Sequence, residues 1–396
     1  MKKNHQTFAN RTAHLEPEGA YEVLARAQKM EADGREIIHL EIGQPDFRTF
    51  PNIGIEGIRA IAAGETRYTP SAGIPALRKA IADSTGARIG MEFSPRQVVV
   101  GPGAKPLLFF PMMALLEPGD EVIYPDPGFP SYRAIIETMG AVPVPIPLKE
   151  EKDFSFDMEE FGRKVNDRTR LIIINPPSNP TGGIIPGADI LTLAEAAKKF
   201  DCWVLSDDIY TQLVYTDEPM KNIMTIPGMK ERTIIMDGFS KTYAMTGWRL
   251  GYGVMPEELA DIVGLLLTHS VGCTAAFTQV AGIEALTGDQ EQVAAIRRIF
   301  RSRRDVIVKG LNDIPGITCR LPKGAFYVFP NIKSFGKSSK EMANYLLEEA
   351  GVALLPGTSF GPMGEGYLRL TFTNSSEAIE KALALIKEAL FKLRKK

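Results

Sequence analysis

Lys241 follows Thr233–Gly238 (TIIMDG), an apolar run with the pattern of a buried strand, where a solvated ammonium is out of place. Desolvation and neighbouring cations lower a lysine pKa and make the amine a nucleophile that forms Schiff bases and later carries protons. Asp207 closes a second such run, and a carboxylate buried there needs a partner, either an arginine or a pyridinium nitrogen. Gly101-Pro102-Gly103-Ala104-Lys105 follows a third run. A strand-to-helix turn of this kind can present N–H groups to a phosphate, although most glycine turns are only turns. It is not a full dinucleotide fingerprint, because Pro106 stands where the third glycine belongs. Phe129, Asn179 and Tyr210 come after further runs and add an aromatic face, an amide and a phenol. An anion cradle, a ring face, a carboxylate and a lysine on one rim are the parts needed to hold a phosphorylated, aromatic, cationic cofactor.

These residues share a rim only if the runs are neighbouring strands. The runs are Gln97–Val100, Glu121–Tyr124, Leu171–Ile174, Trp203–Ser206, Thr233–Met236 and Leu250–Val254, each bounded by Gly, Pro, Asn or Asp and separated by helix-like stretches. Short apolar runs with helical segments between them predict an α/β fold with a largely parallel sheet, whose ligands gather beyond the carboxyl ends of the strands. The flanks differ. Helical spacing marks 20–32, 74–81, a charged stretch from Asp289, and 377–393, where Ile379, Leu383, Ile386, Leu390 and Leu393 form one stripe. Short strand candidates lie at 317–321, 325–329 and 367–371. The division predicted is a large domain over residues 46–290 and a small α+β domain built from both chain ends, 1–45 and 291–396.

The 396 residues are 44% hydrophobic and 24% charged, with a formal net charge of −2, so no global basic field would hold nucleic acid or an anionic membrane. No apolar stretch follows the amino-terminal MKKNHQTF, and the longest, Pro106–Leu116, contains Pro111 and is too short to cross a bilayer. Cys202, Cys273 and Cys319 are too few and too scattered for a disulfide scaffold. A soluble protein of a reducing, cytoplasmic compartment is expected. The four histidines, His5, His14, His39 and His269, lack ligand spacing, so no metal is inferred.

Several longer segments carry a resemblance. Leu40–Phe47 (LEIGQPDF), Arg67–Arg78 (RYTPSAGIPALR), Asn175–Gly182 (NPPSNPTG), Ser206–Tyr210 (SDDIY), Ser240–Tyr252 (SKTYAMTGWRLGY), Pro322–Tyr327 (PKGAFY) and Tyr367–Phe372 (YLRLTF) resemble, in order, the class I/II pyridoxal-phosphate-dependent aminotransferases of the aspartate aminotransferase-like group. That resemblance covers nearly the whole chain and implies the fold type I architecture, pyridoxal 5'-phosphate as cofactor and a homodimer.

By the family pattern Lys241 forms the Schiff base with the cofactor and then shuttles a proton, and Asp207 keeps the pyridine nitrogen protonated, with Asp208 the second choice. Tyr210 and Asn179 would bond the ring's phenolic oxygen, and Phe129 would stack on the ring. Gly103, Ala104, Lys105, Ser240 and Arg249 would surround the phosphate, joined by Tyr68 from the neighbouring subunit. Arg369 would grip the substrate α-carboxylate, a planar bidentate task, beside Asn179 and Gly43. Gly238 departs from the pattern, which often has Ser or Thr there as a phosphate ligand.

The activity implied is ping-pong transfer of an amino group between an α-amino acid and a 2-oxo acid. C–S lyases of the same fold share these residues and are the alternative. A regulatory binding module would need a DNA-binding extension, for which about forty residues before the first motif show no pattern. A nicotinamide dehydrogenase would rest on Gly101-x-Gly103 alone. No motif marks a second, side-chain-binding arginine: Arg11, Arg26 and the arginines near Arg301 read equally well as solvated, and the substrate pair stays open.

Overall fold

The computed structural model describes residues 8–13, 15–217 and 220–395; His5 and His14 lie outside them. In chain order the strands are β1 (Ile38–His39), β2 (Val98–Gly101), β3 (Glu121–Asp126), β4 (Val142–Lys149), β5 (Ser155–Phe156), β6 (Thr169–Ile174), β7 (Trp203–Asp207), β8 (Thr233–Gly238), β9 (Gly251–Val254), β10 (Tyr327–Val328), β11 (Val352–Ala353), β12 (Leu355–Pro356) and β13 (Leu368–Thr371). Eight of them form the central sheet, in the order β2-β9-β8-β7-β6-β3-β4-β5. The pairs β3–β4, β3–β6, β6–β7 and β7–β8 are parallel; β9 runs against β2 and β8, and β5 against β4. The expected α/β fold with a mostly parallel sheet is therefore present. Val98, Val99, Ile172, Ile173, Val204, Leu205, Ile234 and Ile235 are fully buried, as strands covered by helices on both faces require.

Two of the longer segments differ from the pattern expected. The run 142–149 (VPVPIPLK) was not among the strand candidates, because three prolines argue against a ladder. Val142 donates to the Asp120 carbonyl, so the even-numbered residues face β3, and Pro143, Pro145 and Pro147 fall on the opposite side, where only the short β5 pairs. The stretch 317–321 forms no strand beyond a single bridge from Thr318 to Asn331. The side chain of Asn312 instead takes both backbone groups of Cys319, at 2.9 Å each, which occupies what a ladder would need.

The chain ends meet. β1 pairs in parallel with β11, and β13 lies antiparallel between β10 and β12. The last helix, Ser376–Lys395, packs on the helices Glu291–Asn312 and Ser339–Ala350 through the expected stripe, with Ile379, Ile386 and Leu390 buried. Backbone bonds from Leu40 to Ala353 and from Thr371 to Leu40, both 2.9 Å, stitch the amino-terminal segment between β11 and β13. That seam sets where Glu41 and Gly43 stand.

Candidate active site

The carboxyl ends of β2, β3, β6, β7 and β8 open into a cavity of about 530 Å³ lined by Lys241, Asp207, Tyr210, Asn179, Phe129 and Arg369 among others. A larger crevice, about 790 Å³, adjoins it and shares Glu18 and Phe129, but holds neither the lysine nor the carboxylate.

Lys241 sits in the short helical turn Phe239–Thr242 after β8, and its Nζ donates to the Gly43 carbonyl at 2.6 Å. Burial and then the cations Arg369, Arg249 and Lys105 push its pKa down to about 8, with Asp207 opposing. The amine is thus poised near neutrality, as a nucleophile and proton carrier needs.

Asp207 ends β7, and its Oδ2 accepts from the Tyr132 hydroxyl at 2.5 Å. Ile209 N–H reaches Oδ1 at 3.3 Å, and Asn175 holds the Asp207 carbonyl at 2.9 Å. Burial, with Asp208 and Asp237 nearby, pushes the Asp207 carboxyl up to about 7 despite these bonds. A carboxylate so placed favours a cationic partner inside the cavity. Asp208 points away: it accepts from Ser206 at 2.5 Å and Asn222 at 3.1 Å and lines a separate cavity of about 480 Å³. The two adjacent aspartates are thereby told apart, and only Asp207 faces the lysine's cavity.

Tyr210 shares a 2.7 Å hydroxyl bond with Tyr327, and burial raises both phenol pKa values. Arg369, on β13 and 4% exposed, donates to the Glu41 carbonyl and, at 3.5 Å, to Asn179 Oδ1. Its guanidinium lies 4.6 Å from the Tyr327 ring centre and 5.0 Å from that of Phe360, and its Nε has no partner among the described residues. Such a fork, stacked and short of acceptors, suits an incoming carboxylate. Gly43 has no room for a side chain, since a Cβ would lie 2.2 Å from the Tyr327 hydroxyl.

The turn after β2 behaves as its glycines suggest. Gly103 has φ +93°, and a Cβ there would meet Arg249 at 2.2 Å; one on Gly251 would lie 2.4 Å from the Ala104 nitrogen. The backbone 103–105 is therefore pressed against β9 with Arg249 beside it. Arg249 itself adopts φ +53° and donates to the Thr246 carbonyl at 2.9 Å. The Lys105 side chain pairs with Glu18 and lies 5.3 Å from the Phe129 ring centre. Ser240 lines the cavity. Gly238 has extended backbone, with a Cβ position only 3.2 Å from the Gly251 Cα and Leu250 carbonyl, so a larger residue there would crowd β9. Tyr68 is 96% exposed and does not line the cavity of its own chain.

Sequence reasoning did not single out Tyr132, Tyr327, Asn175, Glu18 or Tyr21 as members of this group. The first had a legible signal: Tyr132 follows Phe129 by three residues at the start of the helix Ser131–Thr138, and the two rings meet edge to face with centres 5.7 Å apart. The partners of Tyr210 and Lys105 come from remote segments and leave no local trace.

The family model for aminotransferase class I and II matches residues 35–386. The chain is 40% identical to an aspartate aminotransferase of Pyrococcus horikoshii, over 98% of this chain and 99% of that protein. It is 38% identical to a probable aspartate/prephenate aminotransferase of Aquifex aeolicus, over 97% and 98%. The solved aspartate aminotransferase of Thermus thermophilus with maleate superposes with a TM-score of 0.92 at 34% identity, covering 97% of this chain and all of that one. Matched from end to end in sequence and in fold, this chain belongs to the class I and II aminotransferases, and the enzyme is an aminotransferase.

Proposed function

We propose that the enzyme moves an amino group between an α-amino acid and a 2-oxo acid in a ping-pong cycle, with pyridoxal 5'-phosphate in the 530 Å³ cavity and Lys241 as the amine that bonds it. The observation that carries this reading is the pairing, across one cavity, of a lysine brought down to about 8 with a carboxylate brought up to about 7. The residues fit that group: Asp207 awaits a cation, the 103–105 backbone and Arg249 form a cradle that a Cβ on Gly103 would fill, and Phe129 offers a ring face. When bound, pyridoxal phosphate supplies the aldehyde that bonds an amine and a protonated ring that draws electrons from the substrate α-carbon.

The chain supplies the rest. Asp207, steadied by Tyr132, holds the proton on the ring nitrogen. Tyr210 and Asn179 serve the phenolic oxygen, while Gly103, Ala104, Lys105, Ser240 and Arg249 serve the phosphate. Arg369 and Asn179 orient the substrate carboxylate, Gly43 leaves space, and Lys241 removes and returns the proton at the α-carbon. Residues 46–290 make the body that holds the cofactor; 1–45 and 291–396 make the part that closes on it and excludes water. Ile55, Ile58 and Ile61 are exposed along the helix Pro51–Ala62, and with Tyr68 they support a homodimer in which Tyr68 serves the partner's phosphate. Three free cysteines suit a reducing cytoplasm.

A donor screen against pyruvate, oxaloacetate and 2-oxoglutarate tests the reading. We expect an amino acid to bleach the yellow holoenzyme and a 2-oxo acid to restore it. Release of ammonia and pyruvate without a second oxo acid would sink it.

A further inference from the structure

His39 lies between two carboxylates. Its Nδ1 is 2.7 Å from Glu41 Oε1 and its Nε2 is 3.1 Å from Glu31 Oε1. Ionised carboxylates only accept, so both contacts are satisfied together only when both ring nitrogens carry hydrogen, that is, by the imidazolium. Glu41 is fully buried, and its second oxygen, Oε2, has no partner among the described residues. The same residue's carbonyl accepts from Arg369, whose Nε is likewise unpartnered. Backbone bonds on both sides of Leu40, together with Asn374 donating to the His39 carbonyl at 3.3 Å, hold this segment in place. A buried carboxylate is thus fixed on the residue whose carbonyl holds the guanidinium, and His39 is its hydrogen-bond partner among the described residues.

We propose that His39 and Glu41 are a positioning pair behind Arg369: with His39 protonated, the Glu41 charge is neutralised and Arg369 keeps its full pull on the substrate α-carboxylate, and loss of that proton weakens the hold. The inference rests on the reading of Arg369 as the α-carboxylate site. Burial tends to lower the His39 pKa, but Glu41 and Glu31 outweigh it, so the pKa is raised above 6.5. The proton is held below that range and lost as pH rises through it. Arg369 is pushed down first by burial, and Tyr327, Tyr210, Glu41 and Glu18 are the groups that oppose this. Of these, only Glu41 is tied to a histidine among the described residues.

The test uses holoenzyme and two unreactive carboxylates, maleate and 3-phenylpropionate, with dissociation constants measured by calorimetry from about pH 6 to about pH 8.5. The wild type should lose affinity by about 5-fold across this range, the size of an ordinary coupling between sites. His39→Gln should bind weakly and Glu41→Gln tightly, both with a clearly shallower slope than the wild type, and kcat at saturating substrate should change little in either. A slope as steep in both variants as in the wild type, or a Glu41→Gln protein that binds more weakly than the wild type at pH 6, overturns the proposal. Should His39→Gln fail to fold, the isosteric Glu41→Gln decides alone. Arg369→Met separates the two failures: if it still binds both carboxylates, the reading of the site is wrong; if it loses them while the slope is untouched by His39 and Glu41, only the pair is wrong.

Discussion

At the scale of single residues, reactivity here follows from burial more than from residue type. Lys241 is one of 46 basic residues, yet its place after β8 among Arg369, Arg249 and Lys105 brings its pKa down to about 8. A base whose pKa is depressed loses its proton earlier as pH rises, so the rate at which apoenzyme combines with pyridoxal phosphate should climb with pH and reach half its maximum near pH 8. Stopped-flow absorbance measures this directly, and a rate still climbing steeply at about pH 10, the range of a solvated lysine, would contradict it. The lysine and Asp207 were legible in the sequence because each ends a buried run. Tyr327, which holds Tyr210 from 117 residues away, was not, since a tyrosine near a strand end looks the same whichever way it turns.

At the scale of elements, the site depends on strands and helices held by buried polar links. The helix Pro75–Ile89 is tied to β8 by Arg88, whose Nη2 bonds Asp237 Oδ2 at 2.9 Å, with Tyr252 donating to the same oxygen at 3.0 Å. Asp237 is 3% exposed, three residues before Ser240 and four before Lys241. Removing one partner of a buried pair strands the other charge, at a cost of about 3–5 kcal/mol. Arg88→Met should therefore lower the urea midpoint of the apoprotein strongly, and adding Asp237→Asn should recover much of the loss. An Arg88→Met protein as stable as its parent would show that the pair contributes nothing. Alternating prolines hid β4 at this scale, because which side of a strand faces a neighbour is settled by its partner and not by its own residues.

At the scale of the whole molecule, the proposed homodimer rests on side chains that one chain leaves uncovered. Tyr68 projects into solvent at 96% exposure, and Ile58 on the nearby helix is 69% exposed. Apolar side chains clustered on one helix face imply a covering partner. Ile58→Glu should convert the protein to a monomer by sedimentation and weaken its hold on pyridoxal phosphate through loss of the partner's Tyr68. Wild-type protein that sediments as a monomer at micromolar concentration would rule out the homodimer.

The sequence by itself determined the α/β class, the run-and-breaker spacing that places Lys241, Asp207, Asn179 and Tyr210 after strands, and the motifs that carry the family resemblance. These are local properties: burial on both faces writes continuous apolar runs, and chemistry at their ends writes polar residues in fixed places. The family pattern preferred Asp207 to Asp208, but tertiary structure alone showed where each goes, Asp207 into the cavity of Lys241 and Asp208 into a separate one, because only the packed sheet shows where the cavities lie. It alone also brought Glu41 and His39 behind Arg369, 328 residues from Glu41 along the chain. Contacts across such separations are chosen by how β1, β11 and β13 pair, and no spacing within the sequence encodes them.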